Sequence, residues 1–292
     1  MPTVRAPETT AAALLSDRPD EATIKAYESV GACIIRDLIG PEWIAGLRDC
    51  YDDWAKAAAA PYADHDKFQD KSARRITVRD GMWRDDDRFR AFLFDSPIAR
   101  AAAALMRSRT AQLYEDLLLT EQAGVQTPLS WHQDEPTWPV SGRQLSSVWF
   151  SLEDVDPRTG AMRFVRGTHL GPLYHPKSIP LEDAGDDARY WTGGAIPDLD
   201  ADEGRFTFVL TDARPGDAII FHPRAFHSAH GSSDDHARRS FSIRFFGDDV
   251  RWVPKNHLYH GWMRDLGLKE GDRIVTERLP VVWAATAQSA SG

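Results

Sequence analysis

From Gln112 to Phe246 the sequence is divided into about eight short β-like runs, and no long helical pattern lies between them. The lack of crossover helices argues against parallel βαβ units, whereas Gly, Pro and Asp turns between short runs are typical of a sandwich, a barrel or a jelly roll. The predicted strands are Leu113–Thr120, Leu129–Gln133, Leu145–Leu152, Met162–Val165, Phe206–Leu210, Ala218–Phe221, Ala225–His230 and Ser240–Phe246.

Helices are predicted in the part of the chain that precedes these strands. Asp20–Val30 is expected to form a helix capped by its first residue and ended by Gly31, and Pro41–Ala59 a second helix with an apolar stripe. A strand over Ala32–Leu38 separates them, and Phe89–Ser108 is also expected to be helical. We expect the helices to buttress one face of the jelly roll, which makes the fold class mainly β with α.

We predict a single catalytic domain over residues 1–292. Its parts are a loose N-terminal arm (1–19), a helical buttress (20–110), a jelly-roll core (111–250) and a C-terminal extension (251–292). The core contains one long interruption, residues 171–204, which is rich in Pro, Asp and Gly. A connection of that length inside a β domain is typical of a lid or of a disordered insert.

Composition excludes several classes of protein. Lys and Arg total 35 against 44 Asp and Glu, and the net charge of -9 argues against nucleic acid or an anionic membrane as partner. Cys33 and Cys50 are the only cysteines, so no disulfide framework is expected. The apolar run Ala11–Leu15 is too short for a signal peptide or a membrane span. We expect a cytoplasmic protein that binds a small molecule, and its assembly, a homodimer included, stays open.

The sequence Trp131-His132-Gln133-Asp134 is the strongest candidate for chemistry. In an extended strand, residues two apart project from the same face, so the imidazole of His132 and the carboxylate of Asp134 can converge on one point. An HxD tripeptide alone is a weak signal. With a second histidine, however, it would form the facial triad of two histidines and one carboxylate that binds Fe(II) in non-heme oxygenases and leaves positions for substrate and O2.

Three histidines near the end of the core could supply the third ligand: His222, His227 and His230. The alternation of side chains along a strand puts His227 and His230 on opposite faces, so they cannot both point at one metal ion. Spacing alone does not choose among the three residues.

The next strand offers a partner for an anion. Residues 231–235 are a turn cluster, so Ala225–His230 and Arg238–Phe246 are predicted to form a hairpin that places His227 roughly across from Arg238 or Arg239. Arg238, Ser240, Ser242 and Arg244 alternate with Arg239, Phe241, Ile243 and Phe245. Since Arg forks and Ser hydroxyls bind carboxylates, Arg238-x-Ser240 is the favoured anion site and Arg239 the fallback.

Taken together, these motifs resemble the phytanoyl-CoA dioxygenase family of Fe(II)/2-oxoglutarate oxygenases. The resemblance rests on an ordered set of segments that runs from about Leu117 to Asp248, and family members also carry an N-terminal helical region. The segments are Trp131-His132-Gln133-Asp134, Ser147–Leu152 with Trp149, Thr159–His169, Gly216-Asp217, Phe221-His222-Pro223, His227 and Arg238.

The resemblance implies a double-stranded β-helix fold and a set of roles. His132, Asp134 and His227 would bind Fe(II), and Arg238, eleven residues after His227, would bind the far carboxylate of 2-oxoglutarate, helped by Ser240. Trp149 would border the 2-oxoglutarate pocket. The expected activity is oxidation of a small organic metabolite by O2, with decarboxylation of 2-oxoglutarate to succinate and CO2; hydroxylation is the default, and desaturation, ring closure and epoxidation use the same groups.

This sequence departs from the family where Glu121 stands, because many relatives carry a basic residue there. The family name suggests an acyl-CoA substrate, but a CoA phosphate needs a basic patch, and only scattered candidates are present, at Arg74, Arg75, Arg79 and Arg143. We prefer a smaller, partly apolar metabolite, with Trp138, Trp191 and Arg143 as candidate contacts. For both tryptophans, an ordinary place in the core is an equally good interpretation.

Several other functions compete. A structural zinc site wants four N or S ligands, and a hydrolytic zinc site would leave Arg238-x-Ser240 without a role. A related halogenase would lack the carboxylate at Asp134. A cupin-like metalloenzyme that does not use 2-oxoglutarate would share the fold, and a metal-free binding module would leave the histidines without a function.

Overall fold

Two β-sheets form the centre of the molecule. They are seen in a computed structural model, which describes residues 2–16, 20–57, 76–121, 128–201, 204–231, 238–256 and 261–286. The strands are β1 (Thr3–Arg5), β2 (Glu8–Thr10), β3 (Ala32–Arg36), β4 (Ile76–Asp80), β5 (Thr110–Glu121), β6 (Leu129–His132), β7 (Val140–Ser141), β8 (Leu145–Ser151), β9 (Met162–Val165), β10 (Phe208–Leu210), β11 (Ala218–Phe221), β12 (His227–Ala229), β13 (Arg238–Phe246), β14 (Arg251–Trp252) and β15 (Val281–Ala284).

The strands divide into a large sheet, a small sheet and a separate pair. The large sheet has eight strands, with the order β15-β5-β13-β8-β11-β3-β2 and with β4 paired to β5. The small sheet has five strands, with the order β1-β10-β9-β12-β6, and β14 pairs with β7. All the predicted strands are present, and their observed ends lie within two or three residues of the predicted ends.

The two sheets pack face to face through apolar side chains. The ring of Phe164 on β9 lies 5.2 Å from that of Phe221 on β11, and Trp149 on β8 belongs to the same buried cluster. Only every second residue of a strand can reach this cluster, because successive side chains point to opposite faces of a sheet. Therefore only the side chains on one face of each strand point into the space between the two sheets.

The other face of the large sheet is covered by helices, as predicted. The helices are α1 (Ala11–Leu14), α2 (Glu21–Val30), α3 (Pro41–Ala57), α4 (Met82–Asp85), α5 (Asp87–Asp95) and α6 (Ile98–Leu105). Phe241 of β13 joins the two layers, since its ring stacks on Phe150 of β8 at 5.1 Å and on Phe89 of α5 at 5.8 Å.

Helix boundaries follow local chemistry. The Asp20 side chain accepts a hydrogen bond from the amide of Ala22 at the start of α2, and Gly31, with a φ of 91°, ends that helix. Most of Phe89–Ser108 is helical, as expected, but the helical structure is divided in two, because α5 ends before Pro97 and α6 starts after it. The residue before a proline is pushed out of the helical region, and Ser96 is accordingly extended.

The loose N-terminal arm expected over residues 1–19 is wrong for the described part of that segment. Strand β1 adds to the small sheet beside β10, and β2 adds to the large sheet beside β3. Both pairings are parallel, and the arm thus bridges one edge of each sheet. Short strands with polar sequences such as Glu8–Thr10 carry too weak a pattern to be recognised without their partners.

The predicted hairpin between Ala225–His230 and Arg238–Phe246 is not formed. Strand β12 pairs with β6 and β9 in the small sheet, whereas β13 pairs with β5 and β8 in the large sheet. His227 consequently has His132 and Phe164 as its cross-strand neighbours, and not Arg238 or Arg239. The chain crosses from one sheet to the other between these strands, as it does in a jelly roll.

The long insert packs against the segment that follows Asp134 and against the C-terminal part of the chain. Its described residues contain short 3-10 turns and a small cluster of their own around Trp191 and Ile179. The indole nitrogen of Trp191 donates to the carbonyl oxygen of Pro136 at 3.2 Å, and the carboxylate of Asp187 accepts from the amide of Asn256 at 2.9 Å. The role of the insert as a lid stays a prediction.

We expect Phe241→Ala to lower the free energy of unfolding by about 3–5 kcal/mol, because it removes a fully buried ring that links the helices to the large sheet. Urea denaturation followed by circular dichroism measures this change. The matched control is Val281→Ala, since Val281 is 51% exposed and should change stability by no more than about 0.5 kcal/mol. Equal effects of the two substitutions would contradict the assignment of the core.

Candidate metal centre

Three side chains meet in the interior at the edge of the small sheet. His132, Asp134 and His227 each offer one ligand atom, and these atoms all lie within 4.8 Å of one another. The Oδ1 atom of Asp134 is 3.6 Å from Nε2 of His132 and 3.7 Å from Nε2 of His227. Among the described residues no other group of this kind was found.

The strand register brings the two histidines together. His227 on β12 lies directly across from His132 on β6, and the centres of their rings are 4.1 Å apart. Asp134 follows β6 at the start of a 3-10 turn, where its amide donates to the carbonyl oxygen of Pro223 at 2.8 Å. That hydrogen bond ties the aspartate to the segment that leads into β12, so all three ligands depend on one pairing of strands.

Both rings present the nitrogen that a metal needs. Nδ1 of His132 lies 2.8 Å from the carbonyl oxygen of Ser130, and Nδ1 of His227 lies 2.9 Å from that of Ala225. A carbonyl oxygen only accepts, so each Nδ1 carries the hydrogen and each Nε2 has a lone pair directed at its neighbours. Two lone pairs cannot bond to each other, and a carboxylate oxygen has no hydrogen to give. This donor set fits a divalent cation.

The protonation states favour metal binding too. Burial, and then the neighbouring His132 ring, lowers the pKa of His227 to about 3, so its imidazole is neutral at pH 7. Burial by itself would raise the pKa of Asp134, but the guanidinium of Arg244 opposes it, and the pKa lies below the ordinary value. A neutral imidazole and an ionised carboxylate are the forms that bind metals.

Arg244 was not assigned a role by the sequence analysis, yet it contacts the triad. Its Nη2 atom lies 3.2 Å from Oδ2 of Asp134, whereas Oδ1 is the oxygen close to the two histidines. The guanidinium also pairs with Glu115 and lies 5.4 Å from the centre of the Trp138 ring. The alternation along β13 put Arg244 on the same face as Arg238, but its contact with Asp134 joins the two sheets and is part of no strand pattern.

The residues expected to bind 2-oxoglutarate lie on the large sheet. Arg238 and Ser240 face the interior from β13 and are 7% and 2% exposed. Trp149 on β8 is a cross-strand neighbour of Ser242 and belongs to the cluster between the sheets. Arg238 donates to the carbonyl oxygen of Gly160, and its Nη2 lies 2.7 Å from Oε2 of Glu121.

The alternatives for these roles lie elsewhere. Arg239 points to the opposite face of β13, where it pairs with Glu153 at 2.5 Å. His222 donates through Nε2 to the carbonyl oxygen of Arg143 at 3.1 Å, while its Nδ1 accepts from the amide of Arg224. His230 is exposed. None of these side chains joins the triad.

The candidate substrate contacts have different surroundings. Trp138 is 1% exposed and packs on Tyr114 and Phe246 as well as on Arg244. Trp191 is 4% exposed and lies in the cluster of the insert, and Arg143 is exposed. Of the other basic candidates, Arg79 lies against the Trp54 ring, while Arg74 and Arg75 fall outside the described residues.

Two buried polar residues beside the triad were also missed. The amide side chain of Gln133 donates to Pro172 and Arg224 and accepts from the amide of Tyr174 at 2.8 Å, which fixes the insert next to the ligands. The ammonium of Lys255 donates to three carbonyl oxygens of the turn that follows Asp134, those of Glu135, Pro136 and Trp138. A lysine in a C-terminal segment gives no sequence signal for such a contact.

A model of the family described as Phytanoyl-CoA dioxygenase (PhyH) matches residues 27–240, well over half of the chain. The chain belongs to the phytanoyl-CoA dioxygenase family. A curated relative, named "Probable phytanoyl-CoA dioxygenase" from Caenorhabditis elegans, is 27% identical over 120 residues. That match covers 41% of this chain and 36% of the relative, so it spans about a third of the relative's length. The family resemblance drawn from the sequence motifs is confirmed.

Solved structures of similar fold include two enzymes of nogalamycin biosynthesis. The non-heme alpha ketoglutarate dependent carbocyclase SnoK superposes with a TM-score of 0.70 at 19% identity, over 94% of this chain and 99% of that one. The epimerase SnoN, solved in complex with Fe3+, alpha ketoglutarate and nogalamycin RO, gives 0.69 at 21% identity, over 90% and 100% of the two chains. These similarities confirm the predicted fold class. No helix in the described part of the chain is long and apolar enough to cross a membrane.

A pH dependence follows from His222. Burial, together with His169 and Arg224, lowers its pKa to about 3, whereas the unfolded chain has the ordinary value of about 6.5. Between these values the unfolded state binds more protons, so the free energy of unfolding falls as the pH drops from about 6.5 to 3. Wild-type protein should lose up to roughly 2 kcal/mol more than His222→Gln between pH 7 and pH 5.

Urea denaturation of the metal-free protein at both pH values measures the difference. The glutamine amide can still donate to the carbonyl oxygen of Arg143, which limits the structural change. Exposed His230→Gln is the control and should reduce the pH dependence much less. An unchanged pH dependence in His222→Gln would show that His222 is not held neutral.

Proposed function

We propose that this chain is an Fe(II)/2-oxoglutarate-dependent dioxygenase that oxidises, by default hydroxylates, a small organic metabolite. The observation that carries the proposal is the convergence of two Nε2 lone pairs and one carboxylate oxygen from His132, His227 and Asp134 on a single point. Two histidines and one carboxylate bind the ion from one side and leave positions for other ligands. Family membership supports the same chemistry.

Ferrous iron with 2-oxoglutarate supplies the activation of O2 and the oxidation of an unactivated C–H bond, with succinate and CO2 as products. The chain's own residues bind and orient. Oδ1 of Asp134 lies near both histidines while Oδ2 contacts Arg244 at 3.2 Å, so Arg244 would orient the carboxylate and present Oδ1 to the metal ion. Arg238 and Ser240 are proposed to bind the far carboxylate of 2-oxoglutarate, and Trp149 to border its pocket.

We further propose that residues 171–204 act as a lid. The side chain of Gln133, which lies between His132 and Asp134 in the sequence, is hydrogen-bonded to Pro172 and Tyr174 of this segment. A substrate that displaces the segment would therefore lie directly beside the proposed metal ligands. Trp138, Trp191 and Arg143 are retained as candidate substrate contacts, of which Trp138 has the best support because it packs under Arg244. The proposal includes a cytoplasmic location and leaves a homodimer to be tested by light scattering.

One observation favours a second candidate, a metalloenzyme of the same fold that does not use 2-oxoglutarate. The guanidinium expected to anchor the cosubstrate already has a carboxylate partner in Glu121, at 2.7 Å. The two candidates differ in a simple assay. Succinate release is measured under air with Fe(II), ascorbate and 2-oxoglutarate against a panel of metabolites, and turnover without 2-oxoglutarate would establish the second candidate.

Metal binding gives the first prediction from this proposal. Asp134→Ala should weaken binding of Fe(II), or of Mn(II) as a redox-stable probe, by at least about 100-fold, because it removes the only anionic ligand of the set. Isothermal titration calorimetry measures the affinity. The control is Asp248→Ala, which removes a carboxylate that accepts from the hydroxyl of Thr110 and does not belong to the candidate metal group. Equal metal affinity of Asp134→Ala and wild type would contradict the assignment of Asp134 as a metal ligand.

The cosubstrate anchor gives the second prediction. Arg238→Ala should raise the KM for 2-oxoglutarate by at least about tenfold, since a charge-assisted fork to a carboxylate is lost. Arg239→Ala should leave that KM within about twofold, because Arg239 faces the other side of β13 and pairs with Glu153. The comparison is made by succinate release, or by binding to the Mn(II)-loaded protein. The reverse order of effects would contradict the assignment of β13 faces.

A further inference from the structure

Glu121 occupies the position from which the cosubstrate anchor can be controlled. It is the last residue of β5 and lies directly across from Arg238, the first residue of β13. The two side chains are 4% and 8% exposed, and Oε2 of the glutamate is 2.7 Å from Nη2 of the arginine. The pair is therefore buried and in direct contact between two neighbouring strands.

The arginine is only partly satisfied by its surroundings. Nη1 donates to the carbonyl oxygen of Gly160 and Nη2 contacts Glu121, whereas Nε is buried and has no hydrogen-bond partner among the described residues. Nε and Nη2 together form the side-on fork of a guanidinium, which binds carboxylates through two parallel hydrogen bonds. One nitrogen of this fork is thus already next to a carboxylate, and the other is available.

The backbone at Gly160 leaves little freedom to the guanidinium. A Cβ atom at Gly160 would clash with Nη1 of Arg238, so only glycine lets the arginine approach this carbonyl. Gly160 also has a φ of 101°, a conformation that other residues rarely adopt. Because the guanidinium is held at Gly160, a carboxylate ligand that binds it must compete with the carboxylate of Glu121.

The charges of the pair cancel. An arginine that binds the far carboxylate of an oxo diacid contributes most when no other anion compensates it, because like charges placed side by side cost several kcal/mol. A buried arginine without any counter-ion is, on the other hand, costly in the empty protein. A resident carboxylate thus stabilises the empty site and weakens the filled one.

We infer that Glu121 is a specificity-determining residue for the cosubstrate: it is a resident carboxylate on Arg238 with which the far carboxylate of an oxo diacid must share the guanidinium. This inference rests on the proposed function. Its consequence is weak binding of every dicarboxylate that uses this anchor, the diacid product succinate included. Oxo acids without a far carboxylate are not affected.

The test compares ligand binding to wild type, Glu121→Gln and Glu153→Gln by isothermal titration calorimetry. Glu153 is the matched control, because it pairs with Arg239 on the opposite face of the same strand. The ligands are 2-oxoglutarate and 2-oxopentanoate with the Mn(II)-loaded protein, and succinate with the metal-free protein. 2-Oxopentanoate has the same chain length and keto acid but lacks the far carboxylate.

Glu121→Gln should bind 2-oxoglutarate and succinate at least about tenfold more tightly than wild type, because the competing negative charge is gone. Its affinity for 2-oxopentanoate should stay within about twofold of wild type, and Glu153→Gln should match wild type for all three ligands. In turnover, Glu121→Gln should lower the KM for 2-oxoglutarate without raising kcat.

The melting temperature gives a second measurement of ligand binding, which can be used even if the variant is less stable than wild type. Glu121→Gln leaves Arg238 without its counter-ion, so the empty variant should melt below wild type, and succinate should raise its melting temperature more than it raises that of wild type. Glu121→Met should behave in the same way. Unchanged or weaker diacid binding in both variants overturns the inference, and so does an equal gain for 2-oxopentanoate.

The result also separates this inference from the proposed function. If 2-oxoglutarate binds wild type and Arg238→Ala weakens it, but Glu121→Gln binds as wild type does, the proposed function stands and the role of Glu121 falls. If neither wild type nor Glu121→Gln binds 2-oxoglutarate in the presence of Mn(II), the proposed function falls and the inference falls with it.

Discussion

The antiparallel pairing of β6 with β12 is the constraint on which the site depends. It places His227 directly across from His132, and directly opposed residues on antiparallel strands are the closest cross-strand neighbours in a sheet. The amide of Asp134 is hydrogen-bonded to Pro223, just before β12, so the third ligand is fixed by the same pair of segments. A slip of one residue in this register would turn His227 to the other face, and the metal centre would be lost.

The site is shared between the two sheets. The small sheet supplies the candidate metal ligands, whereas β13 of the large sheet supplies two cations, Arg244 in contact with Asp134 and Arg238 in contact with Glu121. Each of these cations, one buried and one half-buried, is paired, Arg244 with Glu115 and Asp134, and Arg238 with Glu121. The interior is thus organised before any ligand binds, and the affinity for an incoming anion depends on the carboxylates already present.

Sequence patterns predicted the elements well and their partners poorly. The alternation along β13 correctly separated the interior face of Arg238 from that of Arg239, because the side-chain period of a strand is a local property. The hairpin predicted between Ala225–His230 and Arg238–Phe246 is not formed. Consecutive strands usually pair with each other, but in a jelly roll these two strands belong to opposite sheets. The choice of His227 over His222 and His230 came from the family resemblance, and the register of β12 with β6 supplies its physical reason.

The contact between Arg244 and Asp134 shows why the remaining part of the site could not be read from sequence. It joins residues on different sheets, so neither strand pattern contains it, although each pattern places its own residue on an interior face. The contact also gives the two oxygens of the carboxylate different partners. Oδ2 is engaged by the guanidinium at 3.2 Å, and Oδ1 lies 3.6 Å from His132 and 3.7 Å from His227. A carboxylate held in this way would present Oδ1 to a metal ion bound by the two histidines, while Arg244 would keep Oδ2 engaged.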